Sequence, residues 1–229
     1  MSTRITGISS MATRLFLAEV VAAWRKRGGA DVAIESVGGL DAAQRVQSGE
    51  AFDVVVLAAD AIKKLAAADR VVADSAIDLV RSGVAIAVPR GATRPDIGTE
   101  EGLRAAVLAA RSVGYSTGPS GVALQQLFAR WGIADSIRDR LVQAPPGVAV
   151  GSLVARGEVA LGFQQLSELM HLDGIEVVGP MPPGLQIVTT FTGAVCTAST
   201  QPDAARQLLD YVRSPAADEA RRRHGMQPA

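Results

Sequence analysis

The apolar run at residues 53–57, Asp-Val-Val-Val-Leu, constrains the fold more than any other part of this chain. A strand that is apolar at consecutive positions has no face for water, so it belongs at the centre of a sheet with helices on both faces. Shorter β-like runs at residues 4–8, 32–37 and 113–116 are each followed by a segment with helical spacing. This alternation predicts an α/β protein with largely parallel sheets. A further helix is predicted at residues 137–142.

Two β-like runs are unusually long, at residues 79–88 and 185–197. We expect such runs where a chain crosses between two lobes. The prediction is therefore two Rossmann-like lobes joined by two crossing strands, with lobe one at residues 1–82 and 190–229 and lobe two at 83–189. A cleft between lobes is a frequent location for a ligand. A single doubly wound sheet is the alternative that periodicity leaves open.

The charge balance of the chain excludes some partners. Among its 229 residues are 23 Lys and Arg and 23 Asp and Glu, so its formal net charge is zero. A neutral chain has no overall field to attract nucleic acid or an acidic membrane surface, and no segment is long and apolar enough for insertion into a bilayer. The N-terminus lacks the apolar core of a secretory signal, which predicts a cytoplasmic protein, or a periplasmic one if a leader was removed.

Metal and cofactor chemistry is not predicted. The chain has two histidines and one cysteine, and neither a paired-cysteine nor an HExxH motif, which is too little for a zinc site. Cys196 lies in an apolar run and is expected to be a buried side chain, not a nucleophile. His171 and His224 follow helical segments, so we expect both at solvated helix ends.

The loop at residues 115–122, Tyr-Ser-Thr-Gly-Pro-Ser-Gly-Val, carries the strongest functional signal. Hydroxyl and glycine residues between a strand and a helix present donors at the positive end of the helix, which suits an anion. No lysine follows in the spacing of a P-loop, so a nucleoside triphosphate is not expected. Helix capping alone is the structural alternative. The predicted ligand-binding residues of this loop are Ser116, Thr117, Ser120, Gly121 and Val122.

Further corners after predicted strands offer similar donors. They are Ser9 and Ser10 after strand one, Gly38 and Gly39 after strand two, Gly147 and Val148 at a predicted helix start, and Gln164 and Gln165 after a strand predicted at residues 159–163. Helix capping, plain turns and surface glutamines are the structural alternatives for these residues. Asp41 and Asp60 are expected to cap the helices that follow their corners.

The magnitudes of these interactions limit what one corner can do. A micromolar site needs about 8 kcal/mol. One helix end supplies roughly 0.3–2 kcal/mol, and one hydrogen bond to a charged group supplies roughly 1.5–3 kcal/mol. We therefore expect several corners to hold one small anion.

Several of these segments together resemble a known family. They are the Ser-Ser corner, the run at residues 53–60, the long crossing run, Gly-Pro-Ser-Gly at 118–121, Leu-Gly-Phe-Gln-Gln at 161–165, and Ser-Pro-Ala-Ala at 214–217. In this order they look like the type II periplasmic binding-protein fold, and its molybdate-binding proteins of ABC transporters in particular. The resemblance implies a protein that holds a small anion with hydroxyls and backbone amides, and that has an ABC-transporter permease as partner if it is exported.

The resemblance also implies particular contacts. The ligand contacts of the family carry over to Ser9 or Ser10, Gly38 or Gly39, residues 120–122, and Gly147 with Val148. The sequence departs from the molybdate site at two places. A family tyrosine falls near Gln164 or Gln165, and a family serine falls at residues 38–39. The implied ligand is therefore a multiply charged anion, either an oxyanion or a polycarboxylate.

A branch of this family resembles aconitate isomerase, which moves a double bond within a small tricarboxylate. Such a reaction needs a base for an allylic proton and donors for the carboxylates. Arg14 is able to pair a carboxylate if it points to the ligand, and Asp60, Glu168 and His171 are the possible bases. Three hypotheses stay open: a binding protein, which we rank first, an intracellular isomerase, and a cytoplasmic ligand sensor.

Overall fold

A computed structural model describes residues 4–229. This part of the chain forms two compact units. Unit 1 runs to Ser82 and resumes at Thr189–Ala229, and unit 2 is Gly83–Val188. Residues 1–3 belong to the segment searched for a secretory signal and lie outside the described part. None of the helices within residues 4–229 is long and apolar enough to cross a membrane.

Strands and helices alternate along most of the chain. The strands are β1 (Ile5–Ser10), β2 (Val32–Val37), β3 (Val54–Ala58), β4 (Ile77–Pro89), β5 (Val113–Tyr115), β6 (Leu141–Gln143), β7 (Leu161–Gln165), β8 (Ile175–Pro180), β9 (Val188–Val195) and β10 (Met226–Pro228). The helices are α1 (Arg14–Lys26), α2 (Gly39–Gln47), α3 (Ala59–Ala67), α4 (Glu100–Ala109), α5 (Pro119–Arg130), α6 (Ala134–Ile137), α7 (Val150–Ala155), α8 (Leu166–Leu169), α9 (Pro202–Arg213) and α10 (Asp218–Arg223).

Unit 1 is built on a sheet with the order β2-β1-β3-β9-β4, and β10 pairs with β4. β1 is parallel to β2 and β3, whereas β9 is antiparallel to β3. Val54 and Val56 of β3 pack into one core with α1 and α9, and Val55 and Leu57 pack into a second core with α2 and α3. All four side chains are at most 2% exposed. The prediction of a central strand covered on both faces is therefore confirmed.

Unit 2 also has a sheet with helices packed on both of its faces. The second half of β4 is antiparallel to β7 and β8, and β5 is parallel to β6 and β7. Leu103 of α4 and Leu124 of α5 pack on one face of the sheet, and Val150 and Leu153 of α7 pack on the other. Both units thus have a sheet between helices, which confirms the predicted α/β class. The prediction of largely parallel sheets is wrong, because β9 is antiparallel to β3, and β4 is antiparallel to β7, β8 and β10.

The two long β-like runs are strands β4 and β9. β4 has 13 residues, and the chain passes from unit 1 to unit 2 within it, at Ser82 and Gly83. The chain returns to unit 1 at Thr189, the second residue of β9. These strands carry the chain between the units.

The helix predicted at residues 137–142 is wrong. α6 ends at Ile137, the 3-10 turn Arg138–Arg140 follows, and the next three residues are β6. Leu141 and Val142 of β6 pair with Val113 and Gly114 of β5. A free strand edge in the sheet therefore overrides the weak local helical pattern.

The caps predicted at Asp41 and Asp60 are also wrong. α2 begins after Gly38 and α3 begins after Ala58, so each aspartate lies in the first helical turn and not at the cap. A carboxylate in the first turn stabilises the positive end of the helix through the macrodipole. Asp41 and Asp60 thus stabilise α2 and α3 through their negative charge and not as N-caps.

Candidate functional site

The first donor-rich corner lies at the carboxyl ends of β1 and β2 in unit 1. These strands are parallel neighbours in register, so Ser9 and Ser10 lie at the same sheet edge as Gly38 and Gly39. A methyl group added at Gly39 would lie 3.8 Å from the hydroxyl oxygen of Ser10. The structure therefore brings all four predicted residues together.

The hydroxyls of this corner are partly engaged within the protein. Ser9 is fully buried, and its Oγ lies 2.8 Å from the Oγ of Ser36. Ser10 caps the 3-10 turn Met11–Thr13 by accepting a hydrogen bond from the backbone N–H of Ala12 at 3.4 Å. The hydrogen bond to Ser10 is long and therefore weak, so the hydroxyl of Ser10 is still able to form a hydrogen bond with a ligand.

The second corner is the loop between β5 and α5 in unit 2. Gly118 is the N-cap of α5, and Pro119 occupies its first turn. The hydroxyl oxygens of Ser116 and Ser120 lie 3.3 Å apart. A Cβ added at Gly121 would lie 1.8 Å from the backbone oxygen of Ser116. The loop therefore folds back onto the helix start, and only glycine leaves room for this approach.

The loop of Gly147 lies beside the second corner, because β6 is the parallel neighbour of β5. The N–H of Ala144 donates to the backbone oxygen of Tyr115 at 2.9 Å, which extends the pairing toward both loops. Gly147 has a φ of +77°, and the N–H of Val148 donates to the oxygen of Pro145 at 3.0 Å. These residues form a turn that precedes α7. The prediction that they begin the helix is wrong, because α7 begins at Val150.

Apolar side chains accompany the donors at these corners. Val122 is 54% exposed and Val148 is 38% exposed, and Leu40, which follows Gly39 in unit 1, is 63% exposed. Thr117 precedes the N-cap of α5 and is half-buried. The surface around the loops thus offers contacts for hydrocarbon as well as for charge.

The two predicted glutamines lie inside a strand and not after it. Gln164 and Gln165 are the last residues of β7 and are 3% and 5% exposed. The side-chain oxygen of Gln164 accepts from the N–H of Gly151 in the first turn of α7, and its amide donates to Oε1 of Glu168, both at 2.9 Å. Gln164 therefore connects α7 with α8, and a ligand contact by either glutamine stays a prediction.

Three helix starts differ from the others in their charge. The first turns of α1, α5 and α7 contain no acidic residue. Every other helix within residues 4–229 has Asp or Glu in its first turn. An acidic side chain there would occupy the positive end of the helix and repel an anion. The acid-free starts adjoin the predicted corners of Ser9 and Ser10, of residues 116–122, and of Gly147 and Val148, whereas α2 after Gly38 and α8 after Gln165 have Asp41 and Glu168 in their first turns.

Arg14 is an unusual residue for the start of α1. It is exposed, and it makes no ion pair or side-chain hydrogen bond with any residue in the described range. A cation in the first turn of a helix is disfavoured by the macrodipole. Arg14 directly follows the 3-10 turn Met11–Thr13, which Ser10 caps, so its backbone lies about one helical turn from this corner.

The candidate bases and the cysteine have different environments. Asp60 is exposed and lies 3.5 Å from Nζ of Lys63, and His171 is also exposed. Burial, together with the negative charge of Asp53, raises the pKa of the Cys196 thiol to about 12, so the thiol stays protonated and unreactive. Residues 4–229 contain no group of side chains that would hold a metal ion.

The prediction of a solvated His224 is wrong. Its side chain is only 12% exposed, and its Nε2 lies 2.9 Å from Oε2 of Glu19 on α1. The contact joins the end of α10 to α1. No local pattern in the sequence indicates it, because His224 and Glu19 are 205 positions apart.

Comparison with known structures places the fold in a class. A molybdate-binding protein of Azotobacter vinelandii superposes with a TM-score of 0.81 at 18% identity, covering 97% of this chain and 98% of that one. The sulfate-binding protein SubI from Mycobacterium tuberculosis gives a TM-score of 0.78 at 17% identity, covering 99% and 87%. The fold is that of the type II periplasmic binding proteins.

Sequence comparison then identifies the family. The model of the bacterial extracellular solute-binding proteins matches residues 5–227. An aconitate isomerase from Pseudomonas sp. is 38% identical over 99% of this chain and 88% of its own length. The molybdate-binding protein ModA of Azotobacter vinelandii is 29% identical over 48% of this chain. The chain belongs to the bacterial extracellular solute-binding protein family.

Proposed function

We propose that this protein binds a small, multiply charged anion through the donor-rich loops of its two units, as an ABC-transporter-type solute-binding protein. The acid-free starts of α1 and α5 next to serine and glycine loops carry the proposal. Fold relatives named for molybdate, sulfate and tungstate support it. If the protein is exported, its partner is a transporter permease.

The loops suit an anion that is held by neutral donors. A hydrogen bond to a charged group contributes roughly 1.5–3 kcal/mol, and an acid-free helix start adds roughly 0.3–2 kcal/mol. A site made of several hydroxyls and backbone amides therefore reaches micromolar affinity without a full set of countercharges. Whether both units contact one ligand molecule, as expected from the sequence, stays a prediction that the stoichiometry of binding tests.

A thermal-shift panel tests the binding function. It contains molybdate, tungstate, sulfate, phosphate, citrate, cis- and trans-aconitate, and malonate. At about a hundred times its dissociation constant, the true ligand adds about 2.7 kcal/mol of stability, which raises the melting temperature by about 5–10 °C. Titration calorimetry then gives the number of ligands per chain.

Sodium chloride at matched ionic strength is the control for this panel, because screening alone changes stability. The proposal is contradicted if no anion of the panel raises the melting temperature beyond the chloride control. Two ligands per chain would mean that the two units bind separately.

A second candidate function is isomerisation of a small polycarboxylate on the same scaffold. Arg14, which has no ion-pair partner within residues 4–229, favours it, because a guanidinium matches a carboxylate in a bidentate geometry. The exposed side chains of Leu40, Val122 and Val148 favour it too, since they suit a carbon skeleton better than a bare oxyanion. The full-length similarity to an aconitate isomerase points in the same direction.

Isomerisation of an unsaturated polycarboxylate requires a group that takes a proton from one carbon and returns it to another. Among the bases considered from sequence, Glu168 is half-buried and accepts a hydrogen bond from Gln164, so its position is fixed. Asp60 and His171 are exposed. Interconversion of cis- and trans-aconitate, monitored by proton NMR, tests the isomerase activity directly. If aconitate binds tightly but is not converted, the isomerase function is excluded and the binding function is retained.

The variant Arg14→Gln separates the two ligand classes. We expect it to weaken binding of citrate and aconitate by roughly 10–100-fold, the equivalent of one charge-assisted hydrogen bond. Binding of molybdate or sulfate should change less, because neutral donors suffice for them. Titration calorimetry measures both.

The matched control is Arg130→Gln, which removes an exposed arginine from the last turn of α5. It should leave all affinities within about twofold, because an exposed charge remote from a site acts only through screened fields. Equal losses for both classes of anion in Arg14→Gln would show that Arg14 does not distinguish carboxylates.

A further inference from the structure

A cavity of about 720 Å³ opens in unit 1 away from the donor loops. It lies between the C-terminal turn of α1 with the loop that follows, one face of α9, and the turn after α9. The 13 residues of α1 span about 20 Å, so this end of the helix is far from the corner of Ser9 and Ser10. The cavity is therefore separate from the proposed anion site.

Two aromatic rings form the wall of the cavity. The ring centroids of Trp24 and Tyr211 are 5.1 Å apart at an interplanar angle of 52°. The indole Nε1 of Trp24 donates to the backbone oxygen of Ala30 at 3.1 Å. A Cβ at Gly29 would lie 2.2 Å from the indole, so the ring lies directly on the backbone there. These contacts hold both rings in place before any partner arrives.

Among the described residues, the lining of the cavity contains one charged side chain, that of Arg27. The guanidinium of Arg27 lies 5.7 Å from the centroid of the Tyr211 ring. Arg25 pairs with Asp31, but Arg27 has no acidic partner in the described part of the chain, and neither do its neighbour Lys26 and Arg213 at the end of α9. Of these three cations only Arg27 lines the cavity, so a partner that docks here meets one guanidinium that has no acidic partner within the described residues.

We propose that this cavity is the docking site for an acidic segment of another protein, whose apolar side chain enters the cavity while its carboxylates pair with Arg27. Trp, Tyr and Arg are the residue types that dominate binding energy at protein interfaces, and here they converge on one concave surface. An open rim of exposed residues, including Arg27 and Gln207, suits a chain segment that leaves on either side. Charge complementarity selects an acidic segment.

A lipid surface fits these observations less well. Interfacial membrane binding uses aromatic side chains that protrude into the headgroup layer. Trp24 and Tyr211 are half-buried and packed against each other, and they line a concavity. A concave surface accepts a protruding side chain, whereas a bilayer offers a flat one.

Fluorescence of Trp24 in the full chain tests the proposal. Trp131→Phe removes the other tryptophan, and its melting temperature is checked first. The probe is a capped synthetic peptide of glutamates interspersed with leucine and phenylalanine, and the same peptide with lysine in place of glutamate is its control. We expect a saturable change in emission with the acidic peptide alone. Arg27→Gln should weaken its binding by about tenfold, and Arg130→Gln should not.

Three outcomes overturn the proposal. They are no response to the acidic peptide, an equal response to the lysine peptide, and a response that Arg27→Gln leaves unchanged. Phosphatidylglycerol vesicles that shift Trp24 emission when the peptide does not would assign the surface to a membrane instead. Arg27→Gln should also leave the anion-induced thermal shift intact, so this test is independent of the proposed function.

Discussion

Gly121→Ala is expected to abolish anion binding and to destabilise unit 2. A methyl group at this position would lie 1.8 Å from the backbone oxygen of Ser116. Backbone cannot move aside as a flexible side chain can, so the loop between β5 and α5 must open, which separates the hydroxyls of Ser116 and Ser120. Overpacking of this severity costs about 3 kcal/mol, or about 6–12 °C in melting temperature for a chain of this length. Thermal melting and calorimetry measure the two effects.

Gly118→Ala is the matched control. Gly118 has a φ of −79°, which alanine adopts freely, and its added Cβ would meet no atom closer than 3.9 Å. The variant should cost less than about 1 kcal/mol, the usual scale for alanine at an N-cap, and should retain binding. If Gly121→Ala binds the ligand of the wild-type protein with unchanged affinity, the loop is not part of the anion site.

The first corner was predictable from the sequence because its logic is local. β1 ends in Ser9 and Ser10, Gly38 and Gly39 follow β2, and parallel neighbours place their carboxyl ends at the same sheet edge. The register of β1 with β2 needs only the short connection through α1. Strand β3 was also predictable from a local pattern, because consecutive apolar residues indicate a strand that is buried on both faces.

Other parts of the site depend on contacts that the sequence does not display. Gln164 reads as a surface amide, yet it is buried because β7 pairs with β4 and β5, and its partners Gly151 and Glu168 belong to two different helices. The acid-free helix starts were visible in the sequence only in hindsight, because a first turn has meaning once the helix boundary is known. The boundary of α2, two residues before Asp41, is one that local signals placed wrongly.

The aromatic cavity shows the same limit at longer range. Trp24 and Tyr211 are 187 positions apart in the sequence, and each reads alone as the apolar face of an amphipathic helix. Only the packing of α1 against α9 turns them into one wall. Periodicity predicts which face of a helix is buried, but not which other helix it meets.

Asp53→Asn is expected to cause a large loss of stability in unit 1. Oδ2 of Asp53 accepts from the backbone N–H and the hydroxyl of Thr6 at 2.8 and 3.1 Å and from the amide of Gln201 at 3.1 Å, and Oδ1 accepts from the hydroxyl of Ser199 at 2.7 Å. Both carboxylate oxygens of Asp53 accept hydrogen bonds, so the NH2 group of an asparagine side chain would be placed against at least one of these donors. We expect a loss of about 3 kcal/mol, since bonds to a charged group are the strong ones. Chemical denaturation at neutral pH measures it.

Asp31→Asn is the control for this substitution, because Asp31 is half-exposed and pairs with Arg4 and Arg25 at the surface. Such pairs contribute up to about 1 kcal/mol, so the variant should unfold nearly as the wild type does. A loss at Asp31 as large as that at Asp53 would mean that general charge, and not the buried hydrogen bonds, sets the stability of unit 1.

The pH dependence of the Asp53→Asn effect identifies the carboxylate as its source. Burial raises the pKa of Asp53, but the hydrogen bonds from Thr6, Ser199 and Gln201 outweigh burial and hold the pKa below the ordinary value of 3.8. A lowered folded-state pKa contributes stability that is complete above the unfolded pKa and is lost as pH falls through the folded value. The difference in unfolding free energy between wild type and Asp53→Asn should therefore be constant near neutrality and shrink below pH 3.8. A difference that persists unchanged in acid would show that asparagine disrupts packing there, and that the charge of Asp53 is not what stabilises the start of β3.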